Sequence, residues 1–196
     1  MVVTLASAAL VIPYLLFSPL AGRLAKIYKK RKIVVWAKFA EMLIMVVAAA
    51  GFLTHSTGLV LSSILLMGLQ SALFSPSKYG LIRDIGGEEG ISYGSGAMEM
   101  FAFVGILTGT LMAAFLSESV TIPVLCVILF GVALFGWLSS LTIRAHESEP
   151  MKESHETLNP VKFVKDMFVR ALAFKGLNLV VVGLATFWFI GSMIQM

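Results

Sequence analysis

The sequence predicts an all-α membrane protein with six transmembrane helices, and three observations predict it. The chain of 196 residues is 58% hydrophobic and only 13% charged, where a soluble domain carries about a quarter charged residues. Its apolar residues gather into runs close to the about 20 residues that carry a helix across a bilayer. Its Lys and Arg residues gather into alternate connections between those runs, as they do in membrane proteins whose basic loops stay in the cytoplasm.

The first span is expected at residues 2–20, with Pro13 and Pro19 as kinks or ends. It lacks the charged start of a signal peptide, and its apolar part exceeds the usual length of one. A basic connection follows at residues 22–33, containing Arg23, Lys26, Lys29, Lys30, Arg31 and Lys32. The second span is expected at 33–53, a short turn without Lys or Arg at 54–58, and the third span at 59–75. A mixed loop then carries Lys78, Arg83, Asp84, Glu88 and Glu89, with glycines at 86, 87 and 90. The fourth span is expected at 92–116, a turn around 117–121, and the fifth span at 122–143. A polar linker with Glu147, Glu149, Glu153 and Glu156 comes next. Asn159 and Pro160 then read as an N-cap followed by proline at the first helical position. Val161, Val164, Phe168 and Leu172 share one face of the helix this predicts, which suits an inner membrane surface or a connector packed on the bundle. The sixth span is expected at 177–196. The domain reading is five helices of one bundle at 1–143, a cytoplasmic central linker with an amphipathic helix at 144–176, and the first helix of a second bundle at 177–196.

Of the 15 Lys and Arg residues, all but Lys38 fall in the connections after spans one, three and five. Lys38 lies in the first turns of span two, near the same face. This distribution predicts those connections inside and the N-terminus outside. No basic residue precedes span one to anchor it, so an internal piece or truncated product of a longer protein is expected. Such a piece is not expected to transport by itself.

The net charge of +4 reads as a basic surface on anionic lipid, with no nucleic acid as partner. The one cysteine, Cys126, sits in an apolar run and supports neither a disulfide framework nor a metal cluster. No phosphate-binding loop, H-E-x-x-H or G-x-S-x-G motif is present. His55, His146 and His155 lack an Asp five residues on. The sequence therefore offers no enzyme signature and calls for no cofactor.

Charged residues in or near spans are costly unless paired or hydrated, so they mark candidate sites. Lys38 and Glu41 are three apart on one helix and can pair. Glu41 lies about 12 Å along its span and Glu99 about 10 Å along the fourth, at 1.5 Å per residue. Lys78 stands at the inner end of span three, at a depth comparable to Glu99 on the next helix. Lys78, Glu99 and Glu41 are the candidate substrate-binding residues. Gly105 and Gly109, extended by Ala113, form a small-residue face suited to close helix packing.

Gly22-Arg23-Leu24-Ala25 and the basic run through Lys30 and Arg31 resemble the loop between helices two and three of the major facilitator superfamily. Lys26 stands where that family has an acidic residue. The resemblance makes Gly22, Leu24, Lys26, Lys30 and Arg31 a conformational loop. Met67-Gly68-Leu69-Gln70-Ser71-Ala72 and Ser75-Pro76-Ser77-Lys78-Tyr79-Gly80 resemble the fourth helix of its lysophospholipid transporters. Gly96 to Met100, continuing to Gly109 and Thr110, resembles the fifth, and Phe187 to Gly191 the seventh. The likeness is nearest to transporter domains fused to a glycerophospholipid acyltransferase and an acyl-carrier-protein ligase.

The resemblance implies a partial bundle of that superfamily, with the family's first helix and last five absent. It implies translocation of lysophospholipids, chiefly lysophosphatidylethanolamine, across a bacterial inner membrane for re-acylation. The expected partners are the lysophospholipid, membrane lipids and a fused or adjacent acyltransferase. The alternative on the same fold is an exporter of drugs or other amphiphiles.

Overall fold

The computed structural model describes residues 2–144, 147, 161–162, 165–166, 169 and 176–194. Asn159, Pro160, Val164, Phe168 and Leu172 of the expected amphipathic helix lie outside the described residues, as do Glu149, Glu153, Glu156, His146 and His155 of the linker. The helices are α1 (Val2–Ile27), α2 (Lys30–Leu53), α3 (Thr57–Ser119), α4 (Ile122–Leu141) and α5 (Leu177–Ile194), and no strand occurs among the described residues. The chain divides into two units, Met1–Glu156 and Thr157–Met196.

Among the described residues, α2, α3 and α4 are each long and apolar enough to cross a membrane. Helix α1 becomes a fourth when its parts Leu5–Tyr14 and Leu16–Ile27, which meet at 41°, form one bent span. Pro13 and Pro19 both lie inside this helix, and Pro19 loosens it. Pro19 has no N–H to give the carbonyl of Leu15, and its ring crowds that carbonyl. The Ser18 hydroxyl donates to the Tyr14 carbonyl beside it. The helix does not stop at Pro19. It continues through Gly22, Leu24 and Lys26, so most of the expected basic loop is helical and only Tyr28 and Lys29 lie outside α1 and α2. Helix α5, in its own unit, has 18 residues, slightly short of the about 20 expected for a sixth span.

The α2–α3 turn ends in a tight reversal. His55 adopts φ 53°, while Ser56 N–H donates to the Gly51 carbonyl at 2.9 Å and His55 N–H to that of Phe52 at 3.3 Å. This pattern closes a helix through a left-handed residue. The Ser56 hydroxyl then caps α3 by accepting from Leu59 N–H.

The expected loop at 78–91 is a correction. With 63 residues, α3 is about three times the length one span needs. Its helix runs through that region and breaks only at Gly87, which adopts φ 63° and ψ −163°, a region open to glycine alone. The run reverses there, because the Ile82 side chain on the first arm meets Gly94 on the second. The third and fourth expected spans are therefore the two arms of α3, residues 57–86 and 88–119.

Helix α1 packs along α3, and α2 packs against both α3 and α4. The buried core is mostly small side chains, including Ala21, Ala25, Ala37, Ala48, Ala72, Ala133, Ser63 and Ser140, with Val34, Ile44 and Leu81 among them. Large apolar residues such as Phe101, Ile106, Phe115, Val127 and Phe135 point outward. A water-soluble fold would bury these. In lipid, helices gain little by hiding large apolar groups from an equally apolar solvent, and small residues let backbones approach. Gly68 shows the approach at its closest, since a Cβ there would lie 2.5 Å from the Leu10 carbonyl oxygen.

Two predictions arise at this level. Ser77 is fully buried and its Oγ has no hydrogen-bond partner among the described residues. Burial without a partner costs about 1–3 kcal/mol. Ser77→Ala is expected to raise the midpoint of thermal unfolding in detergent, and a lower midpoint would contradict this. For orientation, single cysteines at Thr57 and Lys29 in a Cys126→Ser background should label differently in intact cells. Thr57 should react from outside and Lys29 only after permeabilisation. The reverse pattern would overturn the topology.

Candidate functional site

The basic stretch around the α1–α2 turn sends its charges in different directions. Lys30, Arg31 and Lys32 occupy the first turn of α2, where three cations oppose the helix dipole at about 0.3–1 kcal/mol each. Two of them reach other elements. The aliphatic stem of Lys30 crosses α3 at Gly80, where an added Cβ would come within 2.7 Å of it. Its Nζ meets Asp84, one turn farther along α3, at 2.6 Å. The Arg31 guanidinium donates to the Leu141 carbonyl at 2.9 Å, capping the last turn of α4. Arg31 N–H donates to the Glu147 carboxylate at 3.2 Å. Lys30 and Arg31 thus tie the turn to α3 and α4. Gly22 and Leu24 stand on the last turns of α1, and Lys26 on its final turn is itself engaged in an interaction.

Farther in, α2, both arms of α3 and α4 line an open cavity of about 360 Å³. Lys38 and Lys78 line it, together with Phe74, Met98, Gly136, Ser139 and Ser140. The Lys38 ammonium is 2.8 Å from Glu41 and 5.7 Å from the centre of the Phe74 ring. Gly136 leaves room for it, as an added Cβ there would sit 3.9 Å from the Lys38 Nζ. Gln70 donates to the Ala37 carbonyl at 3.1 Å and reaches Glu41 at 3.5 Å, so Glu41 is held between α2 and α3.

Lys78 and Glu99 form no direct ion pair among the described residues. Tyr79 stands between them. Its hydroxyl donates to Glu99 Oε1 at 2.5 Å, and its ring centre lies 4.6 Å from the Lys78 ammonium. Reversal at Gly87 creates this arrangement by bringing the two arms of α3 together. Sequence reasoning missed the role of Tyr79, although it sits inside the quoted Ser-Pro-x-Lys-Tyr-Gly segment. It also weighed Lys38 only as a partner for Glu41, and did not see it facing a cavity.

Gly105 and Gly109 lie on the exposed side of the second arm, and a Cβ added to either meets nothing within 4 Å. Within the described chain they pack against no neighbour. No group of His, Cys, Asp and Glu suited to a metal ion occurs among the described residues.

The Major Facilitator Superfamily model matches residues 1–196. The chain belongs to this superfamily. As a superfamily member with several apolar helices it is a multi-pass membrane protein. Curated relatives that match the chain carry the name lysophospholipid transporter LplT, three of them as follows. The one from Pectobacterium carotovorum is 27% identical over 183 residues, covering 89% of this chain and 41% of the relative. The one from Photorhabdus laumondii is 27% identical over 129 residues, covering 63% of this chain and 30% of the relative. The one from Yersinia pestis is 26% identical over 133 residues, covering 65% of this chain and 30% of the relative. The chain thus spans less than half the length of these relatives. No solved structure matches the chain significantly.

Proposed function

We propose that this superfamily chain is part of a transporter that moves lysophospholipids, lysophosphatidylethanolamine among them, across a bacterial inner membrane for re-acylation. The observation that carries the reading is the cavity shared by Lys38 and Lys78, with the Tyr79–Glu99 pair at the neighbouring helix turns. A lysophospholipid leaves its acyl chain in the bilayer, so the protein need shelter only a headgroup. In phosphatidylethanolamine chemistry that headgroup is a phosphate and an ammonium. Lys78 is half-buried beside an aromatic face and offers the phosphate a charged donor. Glu99, already oriented by the Tyr79 hydroxyl, offers the ammonium an acceptor. Glu41 keeps Lys38 compensated until the headgroup arrives. The names of the relatives support the same substrate class.

An exporter of cationic drugs fits less well, because two ammonium groups line the cavity and no carboxylate does. An acyltransferase, fused or adjacent, is the partner this function calls for.

The test is uptake by proteoliposomes of a chimera in which residues 1–196 replace the matching segment of the Pectobacterium relative. Lysophosphatidylethanolamine uptake above that of empty vesicles, unaffected by a cationic dye, is expected. A folded, inserted chimera that moves the dye and not the lipid would contradict the reading.

A further inference from the structure

Another face of α2 carries a second concavity, larger than the lysine cavity. It holds about 670 Å³ and runs between α2 and the first arm of α3, with the end of α1 at its mouth. Its walls are apolar along α2 from Ile33 to Ile44, and Leu66, Leu69 and Leu73 line the α3 side. Gln70 also lines it, but its amide is engaged by the Ala37 carbonyl and Glu41. The distance from Lys32 to Ile44 along α2 is about 18 Å. That is little more than half of the roughly 30 Å hydrocarbon core, so the groove has the depth of one leaflet.

Polarity is confined to one end. Lys32 lines the groove there, between Tyr28 and Trp36. Lys30 and Arg31 turn away to Asp84 and Leu141, whereas Lys32 makes no ion pair among the described residues. Tyr28 and Trp36 are largely exposed, as aromatic side chains are at the depth of lipid headgroups. No carboxylate lines the groove. An ammonium-bearing headgroup would find no acceptor there, while a phosphate without one finds Lys32.

We propose that this groove binds a resident anionic phospholipid of the basic-side leaflet, with one acyl chain along α2 and its phosphate on Lys32. The bound lipid would fill the wedge between α2 and α3 at the end where the α1–α2 turn is tied down. This site is separate from the Lys38–Lys78 cavity and does not depend on which substrate the transporter moves.

The test uses the whole chain in nanodiscs of phosphatidylcholine doped with spin-labelled phosphatidylglycerol or spin-labelled phosphatidylcholine. An immobilised component favouring phosphatidylglycerol is expected. Lys32→Ala should reduce that preference about fivefold, the effect of one surface cation on an anionic lipid. Arg83→Ala, an equal loss of charge outside the groove, should leave the preference unchanged. Ala40→Trp, which fills the groove, should remove the immobilised component for both lipids. Helical content by circular dichroism verifies that each variant is folded. Equal immobilisation of the two lipids, or a preference that survives Lys32→Ala in folded protein, would overturn the proposal. So would a cysteine at Ala40 that cross-links to another copy of the chain in place of lipid.

Discussion

Gly68→Ala is expected to separate α1 from α3 and cost the bundle about 1–3 kcal/mol, the range for forcing extra volume into a closed contact. The cause is specific. The added methyl would lie 2.5 Å from the Leu10 carbonyl oxygen and 3.1 Å from its carbonyl carbon. Both are backbone atoms, so no rotamer change relieves the clash. Helix α1 must shift as a body, and it carries its bend with it. Small-residue contacts of this kind hold membrane helices together, since no hydrophobic difference between lipid and protein does so. Gly105→Ala is the matched control, because nothing lies within 4 Å of its added methyl. Thermal unfolding in detergent should show a large fall in midpoint for Gly68→Ala and none for Gly105→Ala. Equal midpoints for the two variants would contradict the packing described.

The second large effect concerns Lys78, which lines the cavity, and the Tyr79–Glu99 pair beside it. Lys78→Ala and Glu99→Ala are each expected to weaken lysophosphatidylethanolamine binding about 10- to 100-fold. That is the loss of one hydrogen bond to a charged group, about 1.5–3 kcal/mol. Tyr79→Phe keeps the ring beside Lys78 and removes only the hydroxyl that holds Glu99. A loss of about fivefold is expected for it. The double exchange of Lys78→Glu with Glu99→Lys should not restore binding, because the two side chains meet through Tyr79 and not each other. Full recovery by the double exchange would instead identify a direct pair with no headgroup role. Binding isotherms on variants of equal helical content separate these cases.

Much of this arrangement was legible in the residues. Alternating apolar runs and one-sided basic charge gave helices at nearly the right places, and the Lys38–Glu41 spacing anticipated a 2.8 Å contact. The ends of helices were less legible. Gly22 to Ile27 reads as loop because it is polar, yet a helix leaving the bilayer needs no apolar face to continue. Three glycines at 86, 87 and 90 all mark a break, and only the backbone shows that, of the three, Gly87 alone takes a positive φ. The bend in α1 was anticipated by Pro13 and Pro19, both of which lie inside the helix. Tyr79 could not be found from spacing, because it meets a residue twenty positions away only once the chain has reversed at Gly87. The lipid groove was equally hidden. Lys29, Lys30, Arg31 and Lys32 are adjacent and alike in sequence, and their separate destinations are set by the packing of α3 and α4 around the turn.

A zwitterionic headgroup held at Lys78 and Glu99 is the centre of the proposed function. The most direct measurement is equilibrium binding of a fluorescent lysophosphatidylethanolamine to the chain in nanodiscs, with a cationic amphiphile as competitor. Saturable binding that the competitor fails to displace, and that weakens in both Lys78→Ala and Glu99→Ala, is the predicted result. Displacement by the cationic amphiphile, or equal affinity of the lipid for the unaltered chain and both variants, would contradict it.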